Sequence, residues 1–355
     1  MHDIYHKETN EPFFIQPVTK KYVEPFYDLI QEQAEHHSFV SHSSREAEIR
    51  KLFEAVQRKD LQAFLVADRE TDKSLCAVTF VDCWTAHGPG VYLEDIVTTK
   101  KQRGKGIGHF AMAALAQITL CKGYSYLAWE CAANNLVAHR FYDSFGCERH
   151  DDLLTWRFKG PFAEPKDKES IVQLFSENAA SVCLPEYDCG LNPANPNMVV
   201  LVAVDKAGTP IAKSIAYRSY STFRLVSGMH VETFVPNGCG KETAAAMLEK
   251  QIQIQAAKGW TGHTDITISK DSKKSLVPVI RELGFEPLSY GDDRMVPRCL
   301  CGEALEAAAK SKPNLIESFM ESQNALTVHN HSFTLATRTQ EEKKDNDSLL
   351  LSPSL

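Results

Sequence analysis

Residues 92–108 read YLEDIVTTKKQRGKGIG. An apolar run carrying two adjacent carboxylates, Glu94 and Asp95, leads into a basic, glycine-rich turn, and the turn opens an apolar helix, HFAMAALAQITLCKG. Strand, glycine turn and helix in this order make an anion cradle. The first N–H groups of a helix have no intrahelical partner, and the helix dipole adds partial positive charge there. Glycine lets backbone come close to a phosphate. The turn is Gln102-Arg103-Gly104-Lys105-Gly106-Ile107-Gly108, and Arg103 and Lys105 add full charges. Its glycine spacing is neither that of a P-loop nor GxGxxG. The stretch points to a phosphorylated ligand lying beside a carboxylate-bearing strand.

Working outward, the pattern predicts strands at 14–17, 63–68, 75–84 and 91–99. A helix over 19–37 carries Val23, Phe26, Ile30 and Ala34 on one face, and Ser43-x-x-Glu46 has the form of a capping box for a second helix. Beyond the glycine turn come a strand at 126–131, a helix from Asn135 to Phe145, and a strand at 153–158 that completes the first half. Residues 159–168 read as a linker. The order then partly recurs: strands at 198–204, 210–220 and 223–235, a turn Asn237-Gly238-Cys239-Gly240, a helix, a strand at 264–269 and a further helix. Gly240 and Gly284 stand in for Gly106 and Gly146, so we read an internal duplication. The expected units are 1–160, 161–300, a helical extension over 301–337 and a disordered, serine-rich tail over 338–355.

Composition bounds the function. A chain of 355 residues with 43% hydrophobic and 24% charged content suits two globular domains. A net charge of −7 argues against nucleic acid as a partner and tolerates cationic ones. No signal peptide and no membrane-length apolar run is evident, so a cytoplasmic location is expected. Ten cysteines without a CxxC pair read as free thiols, with no metal site expected.

A second motif sits about thirty residues after the first. Residues 135–146, NLVAHRFYDSFG, place Asn135 at a helix start and Tyr142 two turns on. Together the two motifs resemble the GNAT superfamily of acetyl-CoA-dependent N-acetyltransferases, over residues 13–158. YLED before the turn and the Phe141-Tyr142 pair look most like diamine (spermidine/spermine) acetyltransferases. The resemblance implies an α/β fold of two tandem GNAT-like domains, each a twisted mixed sheet flanked by helices. It implies that residues 102–108 bind the pyrophosphate of coenzyme A, with Ile96, Val97, Thr98 and Asn135 also on the cofactor. A backbone N–H near Val97, beside a bulge where two central strands splay, would polarise the thioester. The second half keeps the outline but carries Glu242, Asn237, Lys273 and Ile280 where the first has Gly108, Arg103, Asn135 and Tyr142, which reads as a degenerate, noncatalytic copy.

The implied reaction is direct acetyl transfer to the primary amine of a small, polyamine-like cation. Glu94 is the candidate base and Tyr142 the candidate acid for the departing thiolate. Asp95 and Glu130 are candidate contacts for the amine, although simple strand alternation would turn Asp95 outward into solvent. A peptide acceptor and a noncatalytic acyl-CoA sensor are the rival readings.

Overall fold

Val23, Phe26, Ile30 and Ala34 are all buried, so the first helix forms by laying that stripe against a sheet. The computed structural model describes residues 11–36, 39, 43–85, 88–158, 173–175, 195–204, 210–236, 241–269, 273–290, 293–317 and 319. The linker over 159–168, the turn 237–240 and the tail from 338 lie outside them. The chain runs β1 (Phe13–Pro17), α1 (Val23–His36), α2 (Arg45–Gln57), β2 (Gln62–Asp68), β3 (Ser74–Thr85), β4 (Gly88–Thr98), α3 (Ile107–Cys121), β5 (Tyr126–Ala132), α4 (Leu136–Asp143), β6 (Glu148–Arg149) and β7 (Leu153–Phe158). It continues through β8 (Gln173–Phe175), β9 (Met198–Val204), β10 (Pro210–Ser221), β11 (Val226–Pro236), α5 (Lys241–Ala257), β12 (Thr264–Ser269), α6 (Lys273–Glu282), β13 (Glu286–Pro287), β14 (Ser289–Tyr290), β15 (Asp293–Cys301) and α7 (Gly302–Lys310). Ser44, not Ser43, caps α2, accepting from the Ala47 N–H at 3.3 Å. No described helix is long and apolar enough to cross a membrane.

Two mixed sheets result, ordered β1-β2-β3-β4-β5-β15-β14 and β13-β7-β12-β11-β10-β9-β8. They correct the sequence reading at one point. The strand at 153–158 does not complete the first half: β7 leaves it and pairs antiparallel with β12. In return β15, which the sequence pattern did not predict, pairs with β5 in the first sheet. The halves thus exchange a strand, and no cut near residue 160 separates the sheets. α7 packs on α3 through Leu305, Ala308 and Ala309. Gln117 on α3 holds the end of α7, donating to the carbonyls of Ala309 and Pro313 at 2.9 Å each.

The duplication is visible in the backbone. β4 and β5 are parallel at Val91–Leu127 and Tyr92–Ala128; β11 and β12 are parallel at Met229–Thr264, His230–Asp265 and Val231–Ile266. The β3–β4 register skips Glu94, and the β10–β11 register skips Glu232 at the equivalent place. The sheets meet face to face over a shared core that includes Val81, Trp84 and Tyr126 from one and Val200, Ile215 and Tyr217 from the other.

Candidate functional site

The glycine turn is open. Gly106 precedes α3 with φ of 82°, Gly104 has φ of 76°, and no side chain caps the helix. A Cβ at either glycine would meet nothing within 4 Å, so no side chain plugs the turn. Both backbones are left-handed, a conformation that favours glycine. Gly108 serves another purpose: a Cβ there would lie 3.1 Å from the Phe141 ring, so its smallness seats α4 against α3. Arg103 and Lys105 are exposed; the Arg103 Nε donates to the Thr98 carbonyl at 3.3 Å and Lys105 Nζ to Gln102 Oε1 at 2.7 Å. Helix N–H groups without a side-chain cap, two exposed cations and an unobstructed turn fit a phosphate-bearing group.

From this turn an unpaired strand edge leads inward. β4 and β5 part after Tyr92 and Ala128, yet β4 continues to Thr98 and β5 to Ala132. Ile96, Val97 and Thr98 therefore lie on an edge with no strand partner on the β5 side among the described residues. The bulge sits at Glu94, three residues before the place the resemblance gave it. Its consequence is chemical. An extra residue on one strand cancels the alternation of faces, so the consecutive carboxylates Glu94 and Asp95 both turn toward the second sheet. Asp95 is not solvated. It is 7% exposed and accepts from Gln33 Nε2 at 3.0 Å, Thr79 Oγ1 at 2.7 Å and Thr222 Oγ1 at 2.8 Å. Burial pushes its carboxyl up, and these three donors oppose the shift. It ties α1 and the turn after β10 to β4.

Glu94, Asp95 and Glu130 line one cavity of about 100 Å³ between the sheets. Glu94 accepts one described hydrogen bond, from the Tyr220 N–H at 3.1 Å. Burial drives its carboxyl up to about 8, helped by the charge of Asp95 and opposed by that N–H and His230. Burial likewise raises Glu130 to about 7, against His230, Arg157 and the Thr155 hydroxyl that donates to it. The second half supplies the rest of the wall. Arg157 holds Asp265 in a fork, Nε and Nη2 each 2.7 Å from a carboxylate oxygen. Burial alone would raise Asp265, but His263, Arg157 and His230 outweigh it and bring it down to about 2. Arg157 Nη2 donates to His263 Nε2 at 3.2 Å, which fixes that nitrogen as an acceptor; burial brings His263 down to about 4, so it is neutral at pH 7. The cavity wall carries four carboxyl groups beside Arg157 and His230, and a positively charged guest would favour the ionised form of the raised Glu94 and Glu130.

Tyr142 does not line this cavity. It packs against Trp129 on the opposite face of β5 from Glu130, at 4.8 Å between ring centroids, and is 7% exposed. The parted strands are what separate it from Glu94. Burial pushes its phenol up, as do Cys131 and Cys147, while Arg298 acts the other way. The Arg298 guanidinium lies 5.9 Å over its ring and donates to Asp143 Oδ1 at 2.7 Å and to His139 Nδ1 at 2.9 Å. Because arginine only donates, His139 Nδ1 accepts and its Nε2 carries the proton given to the Ala132 carbonyl. Asn135 caps α4 with its side-chain oxygen, accepting from Ala138 at 3.1 Å, and is exposed.

Sequence reasoning missed Arg157, His230, His263, Asp265 and Arg298 because each belongs to the exchanged strands or the second half. Only the alternation of Val296, Arg298 and Leu300, all 1% exposed or less, could have betrayed β15, and Pro297 and the charge of Arg298 mask it.

Residues 23–147 match the profile described as the Acetyltransferase (GNAT) family, so that segment is similar to acetyltransferases of this kind. No curated protein sequence matches the chain. Among solved structures, a GCN5-related N-acetyltransferase from Sphaerobacter thermophilus is 13% identical with a TM-score of 0.49, covering 82% of this chain and 96% of its own. A tandem GNAT protein from the clavulanic acid biosynthesis pathway is 15% identical with a TM-score of 0.46, covering 82% and 98%. The spermidine N-acetyltransferase SpeG of Vibrio cholerae is 12% identical with a TM-score of 0.35, covering 41% and 84%.

Proposed function

We propose that this protein is an acetyl-CoA-dependent N-acetyltransferase that moves acetyl directly to a primary amine of a small, polyamine-like cation, with both substrates bound at once. One observation carries the reading: an unpaired β4 edge runs between an open anion cradle and an acid-walled cavity. Residues 102–108 would hold the diphosphate of coenzyme A, Ile96 to Thr98 its pantetheine arm, and the exposed Asn135 amide a further polar group. The bound thioester supplies the acyl carbon.

The chain's own groups supply the rest. An alkylammonium has a pKa of about 10.4, so roughly one molecule in 2,500 is a free amine at pH 7. The acid wall draws in the cation. An ammonium must lose two N–H protons in becoming an amide, and Glu94 receives one of them. A carboxyl raised to about 8 is a far better base than an ordinary one. A backbone N–H on the free edge near Val97 polarises the carbonyl. Tyr142 gives its proton to the departing sulfur from the other side of the gap. A peptide acceptor needs an open groove, whereas here the second sheet covers the cavity.

The deciding experiment measures thiol release from acetyl-CoA against polyamines, amino acids, aminoglycosides and peptides, alongside calorimetry of acetyl-CoA binding. Turnover with polyamines is expected, and Gly106→Asp should bind no acetyl-CoA because it sets a negative charge in the cradle. Turnover with peptides alone would replace the acceptor assignment. Tight binding without turnover on any amine would leave a sensor and overturn the enzyme reading.

A further inference from the structure

An ammonium that becomes an amide sheds two protons, and only one ends on sulfur. The other has to leave a cavity covered by the second sheet. We propose that the second half provides its exit, a hydrogen-bonded relay from Glu130 through Thr155 and Thr267 to His230 and Glu232; this rests on the transfer reading above.

The geometry is continuous. Thr155 Oγ1 donates to Glu130 Oε1 and lies 3.1 Å from Thr267 Oγ1. Thr267 Oγ1 is 3.0 Å from His230 Nε2, and the same nitrogen is 3.0 Å from Glu232 Oε2. Thr155, Thr267 and His230 are 5%, 8% and 4% exposed, whereas the Glu232 side chain is 25% exposed. The chain of bonds therefore starts at the cavity carboxyl, passes through two buried hydroxyls and ends at the partly exposed Glu232. The strand exchange makes it possible, because Thr155 rides on β7 beside β12 while Glu130 stays on β5.

The directions are consistent. With His230 protonated, its Nε2–H points to Glu232 and Thr267, Thr267 donates to Thr155, and Thr155 to the Glu130 carboxylate. With Glu130 protonated and His230 neutral, every bond reverses. Each hop breaks one O–H and forms one O–H or N–H. Burial would strip His230 of its proton, but Glu232, Asp265 and Glu130 hold it charged, up to about 9. Tyr92 and the stacked Tyr217 ring face it from β4 and β10, and both phenols are held neutral by burial. His263 and Arg157 lie across Asp265.

One cycle then balances. An arriving ammonium adds a third cation beside Arg157 and His230, which both line the cavity, and His230 expels its proton through Glu232. Glu130 takes one N–H proton from the amine, and the relay returns it to His230. Glu94 takes the other N–H proton and Tyr142 gives one to sulfur; each is reset from solvent as product leaves, Glu94 losing a proton and Tyr142 regaining one, so these two exchanges cancel. The amine nitrogen gains an acyl carbon, the thioester C–S bond breaks, and one proton has reached solvent.

Two measurements test the relay. First, calorimetry with spermidine in phosphate and in Tris buffer at pH 7.5 reads protons released on binding. The natural chain should release about one proton more than His230→Gln, in which only the raised Glu94 and Glu130 carboxyls can give up protons to the arriving cation; equal release from the two chains overturns the relay. Second, Thr267→Val should lower kcat by about tenfold or more at pH 7 with the KM for acetyl-CoA unchanged, and Thr267→Ser should restore it. The deficit should shrink toward pH 9, where more of the amine arrives already neutral. An active natural chain with Thr267→Val unaffected, or slowed equally at every pH, overturns the relay and leaves the transfer reading intact. Proton release without turnover on any amine supports the proton exchange and sinks the transfer reading instead.

Discussion

The two halves share a backbone and part in their side chains. Each has a short parallel pairing of two central strands, a glutamate at a bulge beside it, and a helix following each of those strands. In the first half Glu94 meets one N–H and an acid-walled cavity. In the second, Glu232 meets the imidazole of His230 at 3.0 Å. Tyr92 of the first half is matched by that histidine, and Tyr142 by Ile280, which is fully buried. A recurring frame thus fixes where a carboxylate sits, and its neighbours decide what it does. With no cation in direct contact, burial outweighs His230 and raises the Glu94 carboxyl; with His230 at 3.0 Å, Glu232 is an ion-pair partner.

Erasing one of these differences should have the largest effect. Tyr142→Phe gives the first half a position as incapable of proton transfer as Ile280. It should lower kcat by about 10²–10⁴-fold while acetyl-CoA affinity stays within about twofold, read by steady-state kinetics and calorimetry. Equal turnover in the variant would remove the phenol from the acid role.

The exchanged strands offer a second contrast. β7 is clamped in the second sheet by the Arg157–Asp265 fork, while the matching pair in the first sheet, Cys299 opposite Ala128, carries no such charge. Arg157→Ala leaves a buried carboxylate without the two hydrogen bonds of its charged fork. The expected loss is about 3–5 kcal/mol in denaturant unfolding, and the double change Arg157→Met with Asp265→Leu should recover most of it. Cys299→Ala should cost far less. If Arg157→Ala and Cys299→Ala weaken the chain alike, the clamp is not what anchors the exchange.

The same contrasts explain what the sequence revealed. The cradle and the two-copy order were legible because the elements behind them are local: glycines at 104 and 106, an apolar run over 198–204, helical spacing from Val23 to Ala34; the parted strands came only with the resemblance. The exchange was not, since Arg157 and Asp265 are 108 residues apart and no short pattern ties them. Asp95 was misread because one skipped residue reverses a face. The cavity's second wall escaped notice because His230 and Asp265 read singly as polar residues of a strand and His263 as one just before a strand; only the fold brings them opposite Glu94 and Glu130.

The smallest effect is one of sign. A carboxyl raised in the folded state binds its proton more tightly there than in the unfolded chain. Its contribution is fully present below the unfolded value of about 4.3 and is lost as pH rises through the folded value, which for Glu94 is about 8. Glu94→Gln removes that loss, so it should stabilise the chain at pH 8 by about 1 kcal/mol, discounted for the partial exposure of the group, and do little at pH 5. A histidine raised to about 9 behaves oppositely in charge but alike in direction: its stabilisation is present below about 6.5 and lost as pH climbs through 9. Glu232→Gln takes away the first partner holding that proton, so it should destabilise the chain at pH 7 and do so less at pH 10. Thermal unfolding of both variants across pH 5–10 reads the comparison directly. Opposite signs near pH 7–8 mean that one bulge glutamate is held at a cost for chemistry and the other for the fold. Two losses of the same sign would mean that Glu94, too, is held by a cation, and its place as the base would fall.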